Sequence, residues 1–322
     1  MAASYSGSGV ANDIDAIITN ITSRMDEIVM RETVTAGMTA SQDIIDAFNR
    51  SSTAKLATMN TSGLGNYNLV KGYPYGNASL KWEDYTLEFD RAICIDIDRK
   101  EKIQTDGLMS TARLAANMMR REVVPEIDAT RISQAVKKTK AADATHVVSE
   151  DVTTSDILSK IGDGIDAVFN DFGVDSGLTI YMNGNLRKTL RSTTEVTKTK
   201  SVDQGTHSID LVTNTIDIDN KIVWVPSFRM GTEYTYLDPD ASGNGGGIEK
   251  TSSTPDINFL ITAPGCVQGV TVISNPKYID ASVNQRKDAD SLMYRVYHDV
   301  VVEKYSGAAG VYASVATTPF SS

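Results

Sequence analysis

The sequence of 322 residues is poor in the residue types that usually build metal and catalytic centres. It contains two cysteines, three histidines and two tryptophans. The histidines (His146, His207 and His298) lie in unrelated segments, and none has the short spacing typical of a zinc site. Cys94 and Cys266 are too few and too far apart to suggest a disulfide framework, so we expect two buried, small apolar residues.

Long apolar runs and a leader-like N-terminus are also missing. No run of about 18 apolar residues occurs, so we expect no membrane-spanning segment. Residues 1–17 lack both the basic and the apolar part of a secretory signal, which predicts a protein made and used in a cytoplasm.

A basic excess is absent as well. Asp and Glu number 41 against 31 Lys and Arg, which gives a net charge of −10. Proteins that grip nucleic acid usually carry a basic balance or patch, so a DNA-binding module is not expected. The 41% hydrophobic content is that of an ordinary globular protein, and the length predicts about two domains.

The most regular pattern is the alternation of apolar and acidic residues between Tyr85 and Ile97. Side chains in a strand point alternately to opposite faces, so this pattern predicts one continuous strand with an apolar and an acidic face. At about 3.3 Å per residue it would span roughly 40 Å, although strands usually have about 5–6 residues. Together with the Gly-, Asn- and Tyr-rich residues 58–79, it predicts a long, projecting β-hairpin.

Apolar residues at spacings of three and four predict several helices. The stripe from Ile14 to Val29 predicts a helix that packs on its own core or lies as an arm on a neighbouring subunit. A short helix is expected from Ser41, with Ile44, Ile45 and Phe48 buried. Further helices are predicted at 106–121, at 125–138 after a break at Pro125, and at 157–172 after a cap at Thr153, Thr154 or Ser155.

Short strand-like segments follow the last of these helices. They lie at 178–183, 208–216, 221–227, 257–265 and 268–274, and a longer β run covers 294–305. The pattern therefore predicts an α+β fold, in which a compact mixed domain interrupts one region made of β-strands and helices.

No motif of an active site is found. There is no Gly-x-Ser-x-Gly elbow, and the Gly-rich residues 242–247 lack the Lys and Ser/Thr of a P-loop. Asp90, Asp96 and Asp98 share one strand face, which is typical either of a Ca²⁺ or Mg²⁺ site or of an acidic face at solvent or an interface. We predict no catalytic, cofactor-binding or metal-binding residue.

Three segments carry a resemblance to a known family. They are Phe89-Asp90-Arg91, then Ile95-Asp96-x-Asp98 with Glu101, and finally Val124-Pro125-Glu126-Ile127-Asp128-Ala129-x-Arg131. Together they resemble the major capsid proteins of tailed bacteriophages with the Hong Kong 97-type fold, in a group common in phages of Gram-positive hosts. The motifs cover about residues 80–131, and a looser match in element order covers most of the chain. Ala92-Ile93-Cys94 departs from the Gly and aromatic common in that family.

The resemblance implies a division of the chain into the four parts of that fold. Residues 1–55 would be an N-terminal arm, and residues 56–98 an extended β-hairpin loop. Residues 99–147 and 275–322 would form a peripheral domain with a long spine helix and a long β-sheet. Residues 148–274 would form the axial domain.

The resemblance also implies a non-enzymatic, structural role without a cofactor. Such a protein assembles with itself, through hexamers and pentamers, into the icosahedral head that encloses the double-stranded DNA of a tailed phage. It would be a virion component that is assembled in the host cytoplasm. Because only about 50 residues precede the hairpin, a separate scaffolding protein is expected, together with a portal, while a decoration protein is left open.

Alternative functions are an encapsulin-like nanocompartment, a cytosolic acid-base hydrolase with paired carboxylates, and another phage β-protein such as a tail tube. Under the capsid interpretation, we expect interface contacts or ion pairs, within or between subunits, that set the geometry of assembly. The candidate residues are Trp82, Asp90, Arg91, Asp96, Asp98, Glu126, Asp128 and Arg131.

Overall fold

The computed structural model describes residues 32–49, 53–70, 72–104, 111–174, 177–192, 220–239, 245–251, 253–303 and 306–320. The helices are α1 (Gln42–Asn49), α2 (Arg99–Gln104), α3 (Thr111–Met118), α4 (Val124–Ala142), α5 (Ile157–Phe172), α6 (Leu186–Ser192) and α7 (Ser306–Ala309). The strands are β1 (Thr53–Thr61), β2 (Ala78–Thr86), β3 (Phe89–Asp98), β4 (Val147–Ser149), β5 (Thr179–Asn183), β6 (Lys221–Val225), β7 (Tyr234–Leu237), β8 (Gly247–Lys250), β9 (Ile257–Thr262), β10 (Val267–Ile279), β11 (Ala289–Val302) and β12 (Val311–Val315).

The largest core lies around a five-stranded mixed sheet with the order β4-β12-β9-β5-β6. Helix α5 packs on this sheet through its apolar stripe, in which Ile157, Ile161 and Val168 are fully buried. Gly164 allows the close approach, because a Cβ there would lie 2.8 Å from side-chain atoms of Ile261 and Tyr312. The predicted helix at 157–172 is thus confirmed.

A second sheet is antiparallel, with the order β10-β11-β3. Its long central strand β11 packs against the helical segment that contains α3 and α4. Met118, Met119 and Ile127 from the helices contact Leu292 and Tyr294 from β11 in one buried cluster. The predicted long β run at 294–305 is confirmed, and it starts five residues earlier than expected.

Helix α4, which we call the spine helix, is continuous with the turn before it. The predicted break between two helices at Pro125 is wrong, because five π-helical residues, Met119–Val123, join α3 to α4. Proline lacks an N–H and its ring clashes with the carbonyl four residues earlier. A wider π-type turn before Pro125 relieves that conflict without ending the helix.

The predicted hairpin is formed by β1 and β2, with Thr53 opposite Thr86 and Thr61 opposite Ala78. The prediction of one continuous strand from Tyr85 to Ile97 is wrong. Strand β2 ends at Thr86, and β3 begins at Phe89 and pairs with β11. The break has a physical cause, because the Leu87 side chain turns into a buried cluster while the backbone N–H of Glu88 donates to Asp299 (3.3 Å).

Other local predictions can be compared with the described residues. The short helix after Ser41 is confirmed, with Phe48 buried. The strands expected at 178–183, 221–227, 257–265 and 268–274 are present as β5, β6, β9 and β10. The predicted helix from Ile14 to Val29 and the predicted strand at 208–216 lie outside the described residues.

The two cysteines behave differently. Both are free thiols, and Cys266 is buried as expected. The expectation that Cys94 is buried is wrong, because it lies on the acidic face of β3, which is exposed. In the described part of the chain, no helix combines the length and apolar character needed to cross a membrane.

Candidate assembly surface

The β1–β2 hairpin presents large apolar side chains to solvent. Trp82 is 58% exposed, Leu80 is 52% exposed and Met59 is 78% exposed. The tip between the two strands adds further exposed apolar residues, which are Leu64, Tyr67, Leu69, Val70, Tyr73 and Tyr75. Contiguous exposed apolar patches on soluble proteins commonly mark interaction sites.

The backbone of the hairpin is also left open. Within the described residues, β1 and β2 form a two-stranded sheet, so neither strand has a further strand along its outer edge. A two-stranded hairpin is marginally stable on its own, and exposed edges favour pairing with another chain. The base is nevertheless anchored, because Ala54 and Leu87 are buried against Phe48, Val270 and Val301.

Arg91 lies on β3, the strand that follows the hairpin, and connects three parts of the subunit. Its Nε donates to Glu126 Oε1 on the spine helix (2.7 Å). Its Nη2 donates to the carbonyl oxygens of Leu237 (2.9 Å) and Gly247 (3.0 Å) at the end of the β7–β8 ribbon. Burial raises the pKa of Glu126, while the neighbouring Arg91 opposes that rise. The motif residues Arg91 and Glu126 therefore connect a sheet, a helix and a ribbon.

Asp128 is fully buried, and four donors satisfy its carboxylate. Arg229 donates to it at 2.8 Å, the Thr35 hydroxyl at 2.6 Å, and the backbone N–H groups of Val34 and Thr35 at 3.1 and 3.2 Å. The spine helix is thereby tied to residues that precede α1. The sequence did not reveal Arg229 as a partner, because it lies 101 residues away in a short 3-10 turn.

Arg131 is also buried, one turn farther along the spine helix. Its guanidinium makes only long contacts to Thr35 and Thr271, and its Nε has no hydrogen-bond partner in the described structure. Burial lowers the pKa of Arg131, although the nearby Asp128 opposes that shift. Gly269 faces it so closely that a Cβ there would lie 2.6 Å from the Arg131 Nε.

The three acidic residues of β3 each have a separate partner. Asp90 accepts two hydrogen bonds from Arg295 (2.8 and 2.5 Å), and these bonds lower the pKa of its carboxyl. Asp96 accepts from Lys287 (2.7 Å) and Ser291 (2.6 Å), and Asp98 accepts from the backbone N–H of Lys100 (2.8 Å). These carboxylates form no cluster of metal ligands among the described residues, so nothing there supports the Ca²⁺ or Mg²⁺ interpretation.

Comparison with known proteins gives no match to a protein-family model and none to a curated protein. Solved structures do match. A structure from Mycobacterium phage Che8 has a TM-score of 0.58 at 12% identity, covering 89% of this chain and 91% of that one. The mature capsid of bacteriophage PhiM1 has a TM-score of 0.56 at 13% identity, with 83% of each chain covered.

The chain has the fold of tailed-phage capsid proteins. The predicted α+β, Hong Kong 97-type capsid fold is thus confirmed. A virus-like particle from Pyrococcus furiosus also matches, with a TM-score of 0.53 at 6% identity, covering 92% of this chain and 99% of that one.

Proposed function

We propose that this chain is the major capsid protein of a tailed phage, which assembles through hexamers and pentamers into an icosahedral head. The observation that carries the proposal is the β1–β2 hairpin, whose exposed Leu80 and Trp82 and open strand edges need a partner. The capsid fold of the neighbouring structures supports a second copy of the chain as that partner.

The chemistry of the subunit suits a shell around DNA. Repeated weak contacts around closed rings add up to a stable assembly, because each contact becomes intramolecular once the ring closes. The net charge of −10 disfavours adhesion to DNA, so the head would enclose double-stranded DNA without reading its sequence. We assign the protein no catalytic activity.

The eight candidate residues divide into two groups under this proposal. Exposed Trp82, Asp90, Asp96 and Asp98 would contact neighbouring subunits or orient the side chains that do. The other four would hold the spine helix against the sheet within one subunit, so that the hairpin projects from the subunit at a constant angle. These residues are Arg91, Glu126, Asp128 and Arg131. The burial of Asp128 and Arg131 supports this assignment.

The proposal includes partners that the subunit structure does not contain. We propose a separate scaffolding protein and a portal, and leave open whether a decoration protein binds the outer surface. The protein would be a component of the virion, assembled in the host cytoplasm. We also propose the division into N-arm (1–55), extended loop (56–98), peripheral domain (99–147 and 275–322) and axial domain (148–274).

An encapsulin-like nanocompartment is the second candidate, and the similarity to the Pyrococcus furiosus virus-like particle favours it. Both candidates form closed shells, so shell formation alone does not separate them. Their contents do: purified particles would hold double-stranded DNA in one case and a protein cargo in the other.

Electron microscopy of the purified chain tests the common part of both candidates. We would express it alone and then with a candidate scaffolding protein, and image the products. Closed icosahedral shells, or tubes and sheets of hexamers, are expected in at least one condition. A uniform monomer or dimer in both conditions would contradict the shell proposal.

A further inference from the structure

Two carboxylates and one imidazole converge near the end of the spine helix. Asp143 caps a 3-10 turn, Ala144–His146, that ends at His146, and Asp171 lies in the last turn of α5. One ligand atom from each lies within 4.8 Å of the other two. Sequence spacing does not reveal this group, because 25 residues separate the histidine from Asp171.

Each of the three side chains is held in position by its surroundings. The Asp143 Oδ1 accepts from the backbone N–H (2.9 Å) and hydroxyl (2.6 Å) of Thr145, which leaves its other oxygen available. The buried His146 ring places Nδ1 2.8 Å from the carbonyl oxygen of Val311. A carbonyl oxygen can only accept, so Nδ1 carries the hydrogen and Nε2 points to the carboxylates. Metal-binding histidines are typically oriented in this way.

The local charge calls for a cation. His146 Nε2 lies 2.7 Å from Asp171 Oδ2, and either a shared proton or a metal ion would join these two atoms. Asp143 caps the C-terminus of α4, whose last turn contains Lys140, and Asp171 lies at the C-terminus of α5, whose last turn has no basic residue. Carboxylates are unfavourable at the negative ends of helix dipoles, and here two such ends meet.

We propose that Asp143, His146 and Asp171 bind a divalent transition-metal ion of the Mn²⁺ or Zn²⁺ type. One imidazole and two carboxylates suit such ions, and water would fill the remaining positions. The observed 2.7 Å is a hydrogen-bond distance, so a bound ion with ligand bonds of about 2.0–2.1 Å would move these two atoms apart to about 3 Å. The ion would join the end of the spine helix to α5. This inference does not depend on the proposed capsid function.

The test uses Mn²⁺ binding to the full-length, metal-stripped chain, measured from the loss of the free-ion signal in electron paramagnetic resonance. Mn²⁺ is chosen because the exposed thiol of Cys94 prefers the softer Zn²⁺. One bound Mn²⁺ per chain is expected, with a higher thermal midpoint. Asp171→Asn and His146→Gln should each weaken binding at this site at least about tenfold.

The matched control is Asp166→Asn, an exposed carboxylate on the same helix that should leave binding unchanged. Asp171 is 56% exposed, so its substitution should not prevent folding even if that of the buried His146 does. The proposal is overturned if the wild-type chain binds no Mn²⁺ at millimolar concentration. It is equally overturned if Asp171→Asn binds Mn²⁺ as tightly as the wild type, since a shared proton would then be the cation between His146 and Asp171.

Discussion

The β1–β2 hairpin and the spine helix differ in which kind of side chain they expose and which they bury. The hairpin exposes apolar side chains, among them Leu80 and Trp82, whose burial in an interface would be favourable. The spine helix buries Asp128 and Arg131, charged groups whose burial is costly. In one subunit, apolar surface is left outside and charge is placed inside.

A shell protein needs a surface that binds its neighbours and a subunit of fixed geometry, and the hairpin and the spine helix are suited to one requirement each. Under the proposed function, the apolar side chains of the hairpin stay exposed until a neighbouring chain covers them. The buried charges give directional contacts, with four donors converging on Asp128 and four acceptors around Arg91. Such contacts specify geometry more than they add stability. Changes in the hairpin should therefore affect assembly, and changes in the spine helix should affect the subunit.

The largest effect is expected from Trp82→Lys. Replacing a Trp that anchors an interface by a charged residue weakens each subunit contact by about 2 kcal/mol or more. The loss recurs at every copy of the contact around a ring. Closed shells should disappear, while the thermal midpoint of the free subunit stays unchanged because Trp82 is exposed. Ser79→Lys is the matched control, since it adds the same charge to the opposite face of β2. Size-exclusion chromatography and electron microscopy measure the outcome; equal loss in both variants would contradict a one-sided interface.

Asp128→Ala should give the largest loss of subunit stability. Removing one partner of a buried ion pair usually costs about 3–5 kcal/mol, and here Arg229 and Thr35 would also lose an acceptor. Urea unfolding of the unassembled chain measures this loss. Asp166→Ala, on an exposed helix face, should change stability by no more than about 0.5 kcal/mol. A similar midpoint for both variants would show that the Asp128 network does not hold the spine helix.

Gly269→Ala should also destabilise the subunit, through an overpacked contact. The new methyl group would meet the buried Arg131 guanidinium, and overpacking typically costs about 1–3 kcal/mol. Gly162→Ala is the control, because a Cβ there meets nothing within 4 Å and helix α5 should become more stable. If both substitutions stabilise the chain in urea, the close contact between Gly269 and Arg131 is not rigid.

His298 should make the subunit sensitive to acid. Burial, with smaller contributions from Arg131 and Arg91, lowers the pKa of His298 to about 3. Between pH 6.5 and 3 the unfolded chain therefore binds this proton and the folded chain does not, so stability falls as pH decreases. The slope is at most about 1.4 kcal/mol per pH unit. His298→Gln should unfold with a flatter pH dependence over this range, whereas an unchanged slope would mean that His298 titrates normally in the folded state.

The smallest effect on the subunit is expected from Asp90→Ala. The Asp90–Arg295 pair is exposed, and such pairs contribute little to folding. Urea unfolding should therefore show no measurable change. If Asp90 contacts a neighbouring chain, shell yield should still fall, and its salt dependence should weaken. Normal yield and shell size in both Asp90→Ala and Arg131→Ala chains would exclude a role for these charges in assembly geometry.

The sequence predicted the local elements well, because their side-chain periodicity is strong. The hairpin, α1, α5 and most strands follow from alternation or from helical spacing. The errors lie where tertiary contacts override the local pattern. The pattern from Tyr85 to Ile97 continues through residues 87–88, yet the burial of Leu87 interrupts the strand. A π-type turn carries the helix past Pro125, and no local signal predicts it.

The partners of the candidate residues were less predictable than their positions. Arg91 and Glu126 were both expected to form ion pairs, and the structure joins them directly. Asp128 was also expected to be paired, but its partner Arg229 is far away in the sequence. Partly buried Lys138 and fully buried Asp299 form another ion pair that the sequence analysis missed. Long-range pairs depend on how the helix lies on the sheet, which one sequence does not specify.

Amide hydrogen exchange across 53–61 and 78–86, before and after assembly, tests the central claim most directly. In the free subunit, the outer edges of the hairpin should exchange quickly, because only one side of each strand is paired. In the assembled shell, a neighbouring chain should cover the hairpin, and exchange should slow in both strands while the spine helix stays protected throughout. Rapid exchange of the hairpin in a closed shell would contradict the claim that its apolar face is an assembly surface.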